Sequence, residues 1–169
     1  MIREIMKYPE PVLARKAKPV TEFDAALETL VADMFESMYA AEGIGLAGPQ
    51  IAVSQRVTVI DLSFQKDAAQ KIVLINPEIV YSEGKLREEE GCLSLPDIRA
   101  KVDRAAKVRV RAQNVKGEPI ELEGEDLLSR AFQHEIDHLD GILFLDRISR
   151  LKRDLLLRRI KKLQQAGEW

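Results

Sequence analysis

Apolar residues recur at helical spacing between residues 21 and 42, where Leu27, Leu30, Val31, Met34, Phe35, Met38 and Tyr39 share one face. Thr21 and Asp24 suit the start of that helix, and Gly43 suits its stop. The pattern then shortens. Val57 to Leu62, Ile72 to Ile75 and Ile79 to Tyr81 read as β-runs, the last two separated by Asn76-Pro77. Charged and apolar residues alternate over Lys107 to Arg111 and over Ile120 to Glu123, with a turn at Asn114 to Gly117, which predicts a hairpin. Helical spacing returns in Leu127, Leu128, Ala131, Phe132, Ile136 and Leu139, with Asp126 placed to cap that helix and Gly141 to end it. A third helix is predicted from about 149 to 165, with Leu151, Leu155, Leu156, Ile160 and Leu163 as its apolar stripe. Long helices flanking strands that never alternate strictly with them predict an α+β fold, not a doubly wound sheet.

Composition adds limits. At 169 residues, with 46% hydrophobic and 32% charged residues, the chain suits one packed core, so a single domain over 1–169 is expected. A net charge of -2 gives the whole molecule no polycationic signature for nucleic acid. Charge is uneven, however: Arg147 to Lys162 holds eight basic residues against one acid, Asp154. The single cysteine, Cys92, cannot close an intrachain disulfide, which fits a reducing, cytoplasmic setting. No apolar leader and no run approaching ~18 apolar residues occur, so neither export nor a membrane span is expected.

The second helix carries the chemistry. The chain's only histidines, His134 and His138, lie four residues apart in Gln133-His134-Glu135-Ile136-Asp137-His138. That spacing puts both imidazoles on one helix face, able to share a metal ion, with Glu135 one step round and within reach of a water on that ion. This is the HExxH pattern of metallohydrolases; two surface histidines beside an ordinary glutamate is the plain alternative. A third ligand is needed. Gly141 sits where one class of such enzymes has a glycine, but Phe144 occupies the position of that class's third histidine and has nothing to donate. The acids after His138 are Asp140, Asp146, Asp154 and Glu168, none comfortably placed. Cys92, whose thiolate is a strong ligand for zinc or ferrous iron, is the serious candidate, although a lone cysteine is more often a small buried apolar residue.

A second signal misleads. Gly43-Ile44-Gly45-Leu46-Ala47-Gly48 satisfies G-x-G-x-x-G, and Asp61 imitates a ribose-binding acid, but here a helix precedes the glycines and a strand follows them, the reverse of a dinucleotide site. The glycines suit either a helix stop followed by a loop needing positive φ, or a backbone lying close to an extended ligand, with the Gln50 amide at its end.

Three blocks, Gly43-Ile44-Gly45-Leu46-Ala47-Gly48-Pro49-Gln50, Glu90-Gly91-Cys92-Leu93-Ser94 and Gln133-His134-Glu135-Ile136-Asp137-His138, stand in this order, and with them the chain resembles the peptide deformylases. Tyr8-Pro9-Glu10-Pro11-Val12-Leu13 and the C-terminal helix extend the resemblance over the whole chain. One position departs: the family's first block usually has a second alanine where this chain has Gly48, a change that bears on loop stiffness, since Gln50 is intact.

The resemblance implies mostly antiparallel short sheets around a central HExxH helix, with a long N-terminal and a C-terminal helix. It implies hydrolysis of the N-terminal formyl group of formylmethionyl polypeptides, releasing formate, with Cys92, His134 and His138 as metal ligands and hydroxide on the metal attacking the formyl carbon. Glu135 would move the proton, while the Gln50 amide and the Leu93 backbone N–H would receive charge on the formyl oxygen. The peptide would lie beside Gly43 to Gly45 and Gly91, with Ile44, Leu127 and Ala131 around the methionine; core packing is the competing role for Leu127. Arg99 matches an arginine that lies near the substrate peptide in the family. The implied cofactor is one divalent ion, natively Fe2+, with Zn2+, Ni2+ or Co2+ as substitutes. The implied partners are nascent formylmethionyl chains and, through the basic C-terminal helix, ribosomal RNA; simple docking of that helix on the core is the plainer reading. Two rivals stand beside this one: a zinc metallopeptidase with an acidic third ligand, and an inactive ribosome-binding relative.

Overall fold

The computed structural model describes residues 1–169. The first helix, α1 (Ala25–Ala40), starts one turn later than the apolar spacing predicts, because the Asp24 side chain accepts the Leu27 N–H at 3.0 Å and fixes the entry there. Its stop also differs. The left-handed residue is Glu42, at φ +58, and the Gly43 N–H closes back on Met38 O at 2.9 Å. β1 (Gly45–Ala47) follows, then a 3-10 turn at Gly48–Ile51 and β2 (Val57–Ile60). All four residues of β2 are buried: Val57 and Val59 meet α1, whereas Ile60 faces the second helix. A strand covered on both faces reads as an unbroken apolar run.

The two short runs expected around Asn76-Pro77 form one strand, β3 (Ile72–Glu83), with a register shift between Ile75 and Glu78. Asn76 takes φ +52 there and turns its amide to Val20 N and O, at 2.8 and 3.0 Å, and to Gln113. The break in the sequence pattern is thus a bulge, not an end. β4 (Leu86–Cys92) and β5 (Leu95–Arg104) form a separate two-stranded antiparallel sheet, while β6 (Lys107–Gln113) and β7 (Pro119–Glu125) form the predicted hairpin. The main sheet is antiparallel in the order β1-β2-β3-β6-β7. β1 therefore lies at its edge.

The second helix, α2 (Asp126–Leu139), starts without a side-chain cap. Asp126 is its first residue, at φ +52, and donates its N–H to Ala106 O at 3.0 Å. Ala131, Phe132 and Ile136 bury it against Ile60, Leu74, Val108, Val110 and Ala112, each large apolar side chain contributing about 1.5–3 kcal/mol. After the positive-φ stop at Gly141 and a 3-10 turn at Phe144–Arg147, α3 (Arg150–Gln165) runs from its Ser149 cap. Its inner stripe is Leu156, Leu157, Ile160 and Leu163, packed with Leu143–Leu145 against Leu95, Ile98 and Val102 of β5. Leu151 and Leu155, expected in that stripe, are exposed. Trp169 returns to the body, its indole donating to Tyr8 O at 2.6 Å. No helix is long and apolar enough to cross a membrane.

Candidate functional site

Cys92 ends β4, just past a register shift at Gly91, while His134, Glu135 and His138 lie on α2. The fold brings Cys92 Sγ to 3.3 Å from His138 Nε2, and His138 Nε2 to 3.2 Å from His134 Nε2. Cys92, His134 and His138 are the only group of three such donors whose atoms converge, all within 4.8 Å of one another. An ion about 2.0–2.3 Å from each of four tetrahedral donors requires donor separations of roughly 3.3–3.6 Å. Two of the three separations lie close to that range, and a cysteine sulfur with two imidazoles is a donor chemistry that suits a divalent metal.

Of the four downstream acids, Asp140 and Asp146 are engaged elsewhere, and Asp154 and Glu168 are exposed. Asp140 accepts from Arg56 at 2.9 Å, and Asp146 accepts the Leu143 N–H at 3.0 Å and pairs with Arg153. No acid completes the histidine pair.

Glu135 is 4% exposed, and its Oε1 has no partner within the protein. Burial pushes its carboxyl up to about 7; the His134 charge pulls against that, and Glu90 adds to it. Close approach explains Gly45, since a Cβ there would lie 2.5 Å from Glu135 Oε2. Gly48 is a close-packed position as well: a Cβ would meet Val53 O at 2.7 Å and Gln55 O at 2.8 Å, so this chain's loop folds tighter than an alanine would allow. Neither glycine has positive φ. The close approach at these two glycines is to the protein's own atoms, and the positive-φ role does not apply to them.

Gln50 is buried in the 3-10 turn after β1. Its Oε1 accepts the Ala47 N–H at 3.0 Å, and its Nε2 donates to Ser94 Oγ at 3.1 Å and points at Cys92 Sγ, 3.7 Å away. The amide thus bridges the edge of the main sheet to the Cys92 hairpin.

A groove of about 480 Å³ runs between β1 and β4 with α2 as its floor. Ile44, Gly45, Gln50, Gly91, Cys92, Leu93, Leu127, Ala131, His134 and Glu135 all line it, and His138 sits beneath, 1% exposed. Leu127 is 44% exposed, which removes core packing as its role. Arg99 lines the groove too, lying across Gly91 and paired with Glu89 at 2.9 Å.

Glu90 is the residue that sequence reasoning missed. It stands two residues before Cys92 in an acidic run that reads as solvated surface, yet it is 6% exposed and accepts from His134 Nδ1 at 3.0 Å. Burial opposes its ionisation, but hydrogen bonds from His134 and Arg104 hold its carboxyl down at about 2. A donor on Nδ1 leaves the His134 Nε2 lone pair turned toward the cluster. Burial also disfavours a His134 cation, but the bonds to Cys92 and Glu90 and the Glu135 charge outweigh it, so His134 titrates well above an ordinary imidazole; a metal ion competes for the place of that proton. His138 goes the other way, held well below by burial and by the His134 and Arg104 charges.

Converging cysteine and imidazole donors beside a buried carboxyl raised to about 7, on the floor of an open groove, define the class: a metal-dependent hydrolase. Comparison with known proteins narrows it. The family model for polypeptide deformylase matches residues 2–154. A peptide deformylase of Acidobacterium capsulatum is 70% identical over 169 residues, covering 100% of this chain and 99% of that protein. The crystal structure of a peptide deformylase from Legionella pneumophila has a TM-score of 0.93 at 48% identity, covering 99% of this chain and 98% of its own. That of a peptide deformylase from Synechococcus elongatus, in complex with actinonin, has a TM-score of 0.90 at 37% identity, covering 94% and 88%. The chain belongs to the polypeptide deformylase family, metal-dependent hydrolases that remove N-terminal formyl groups from newly made polypeptides.

Proposed function

We propose that the whole chain acts as one catalytic unit in which Cys92, His134 and His138 hold a single divalent ion, natively Fe2+, and Glu135 handles the proton. The convergence of those three donors beside Glu135 carries this reading. When bound, the ion acts as a Lewis acid and lowers the pKa of a water from about 15.7 toward neutrality. A carboxyl poised at about 7 can take a proton from water and return it to the departing amine. The Gln50 Nε2–H and the Leu93 backbone N–H receive the charge that builds on the formyl oxygen, and losing one such donor costs about 2.7–4 kcal/mol of transition-state stabilisation. Gln50→Ala should therefore lower turnover about 10²–10³-fold and, because it leaves the Ala47 N–H and Ser94 Oγ without that partner, cost about 1–3 kcal/mol in unfolding.

The nascent formylmethionyl chain adds as a strand in the groove, its main chain against Gly43–Gly45 and Gly91, its methionine among Ile44, Leu127 and Ala131. Support comes from β1 being an unpaired sheet edge facing β4 across that groove. Main-chain pairing tolerates many sequences after the methionine. Such a substrate places the reaction in the cytoplasm. Iron is the native ion on the family resemblance; the same donors accept Zn2+, Ni2+ or Co2+.

Anaerobic incubation with Fe2+ and formyl-Met-Ala-Ser should release formate, and Cys92→Ser should lose both metal and activity. Metal bound without formate release would overturn the activity at this site, and an unchanged metal content in Cys92→Ser would overturn the ligand set.

A contact of α3 with ribosomal RNA is a further part of this reading. Only Arg153 of its basic residues is in an ion pair, so the rest are free for phosphate.

A further inference from the structure

We infer that Arg147 is a positioning residue for the metal site, acting on His134 from the protein surface through a chain of alternating charges. Arg147 Nε and Nη2 donate to the two oxygens of Asp137, both at 2.7 Å. Arg104 Nη1 donates to Asp137 Oδ2 at 2.6 Å, and Arg104 Nε and Nη2 donate to the two oxygens of Glu90, both at 2.9 Å. Glu90 Oε1 accepts from His134 Nδ1 at 3.0 Å. The Arg104, Glu90 and Asp137 side chains are 2%, 6% and 9% exposed, and Arg147 alone, at 44%, reaches water.

The chain is built for orientation. Apolar residues of similar volume would fill this space at no loss of stability, since burying paired ions roughly cancels their attraction. What paired ions add is direction: every link is either a two-point fork or a bond from an already forked group. Asp137 is the joint. Its Oδ2 serves both arginines, and without the Arg147 fork nothing else bonds its Oδ1, leaving the carboxylate free to rotate about the single Arg104 bond. Rotation there moves Arg104, then the Glu90 carboxylate, then the ring of His134. Arg147 itself is held firmly, because it ends the 3-10 turn whose Phe144 and Leu145 are 1% exposed. It also faces a second cleft of about 320 Å³, shared with Lys85, Gln133 and Asp137, and does not line the peptide groove.

Two other roles predict different outcomes. If Arg147 acted only as a positive charge, removing it would tighten the hold on a cation, and lysine would replace it fully. If it acted only in folding, its loss would show as lower stability with unchanged metal affinity. A lysine keeps the charge but not the fork.

This inference rests on Cys92, His134 and His138 being the ligands, and the test separates the two. Co2+-loaded protein is titrated with a competing chelator, its visible spectrum reporting ligand geometry, and urea unfolding is followed at saturating Co2+. Arg147→Met should raise the Co2+ dissociation constant about 10-fold, the low end of the ~10–100-fold range for partners outside the ligand set, and Arg147→Lys should recover little of it. At saturating Co2+ the unfolding free energy should fall by about 1.4 kcal/mol, the amount a tenfold weaker hold on the ion accounts for, and no further. An unchanged or lowered dissociation constant in Arg147→Met, full recovery by lysine, or a fall confined to the unfolding midpoint would each overturn the inference. Cys92→Ser binding Co2+ as tightly as the parent would instead remove the ligand set, and the inference with it.

Discussion

Along α2, Glu135, Asp137 and His138 are between 1% and 7% exposed, whereas on α3 every charged side chain reaches water and only Ile160 is buried. The two helices are similar in length and both carry ionisable residues beside an apolar face. What separates them is where the charge points. On α2 charge is turned inward, so each group needs a named partner, and a group left without one, Glu135, has its proton equilibrium moved toward neutrality. On α3 water serves all charges alike, so no single residue there is decisive. Chemistry can be built on the first arrangement. The second offers only a field.

The sharpest way to break this contrast is at Glu135. Glu135→Gln should keep its metal and lose about 10²–10⁴-fold in formate release, read by metal analysis and a turnover assay on the same sample. Next is Arg104→Met, which strips the buried carboxylates of Glu90 and Asp137 of a shared cation and should cost about 3–5 kcal/mol in urea unfolding.

Acid and base should then pull stability in opposite directions. Glu90, held at about 2 against an ordinary 4.5, contributes stability that is present above pH 4.5 and lost as pH falls toward 2. Glu135, raised to about 7, stays protonated in the folded chain while the unfolded chain ionises from 4.5 upward, so stability falls as pH rises between those values. In the metal-free protein, urea midpoints at pH 5 and 7.5 should fall more in the parent than in Glu135→Gln, where only the raised His134 still favours the lower pH.

The smallest effect belongs to α3. Lys161→Ala should change stability by less than ~0.5 kcal/mol, and if α3 meets RNA it should lower the salt slope of ribosome binding by about 1. A destabilisation of several kcal/mol at Lys161 would erase the contrast between the helices.

The difference between the helices also governs what the sequence made legible. Periodicity revealed α1, α2, α3 and the β6–β7 hairpin, because each shows a regular apolar face. The spacing of His134 and His138 and the position of Cys92 revealed the donors that the fold brings together. The β4–β5 hairpin did not show. Its Glu88-Glu89-Glu90 run carries no apolar alternation, and Glu90 is buried only because Arg104, 14 residues away, meets it. The bulge at Asn76 depends on Val20 and Gln113, 56 and 37 residues distant, and so was equally hidden. Pairings across such separations leave no local pattern. For the same reason Arg147 read as one more basic residue ahead of a basic helix.

The Cys92 hairpin is a separate sheet, and the histidines proposed to share its ion lie on α2, up to 46 residues further along. Three ligands joined through one ion then close a covalent-like loop, as a disulfide would. On the loop-entropy scale used for disulfides, a ring of that size is worth about 4 kcal/mol. The ion would serve as a rivet between hairpin and helix, so a chelator should act on this fold as a reductant acts on a cystine. Amide exchange in β4 and β5 should quicken when the ion is withdrawn, while the five-stranded sheet keeps its protection.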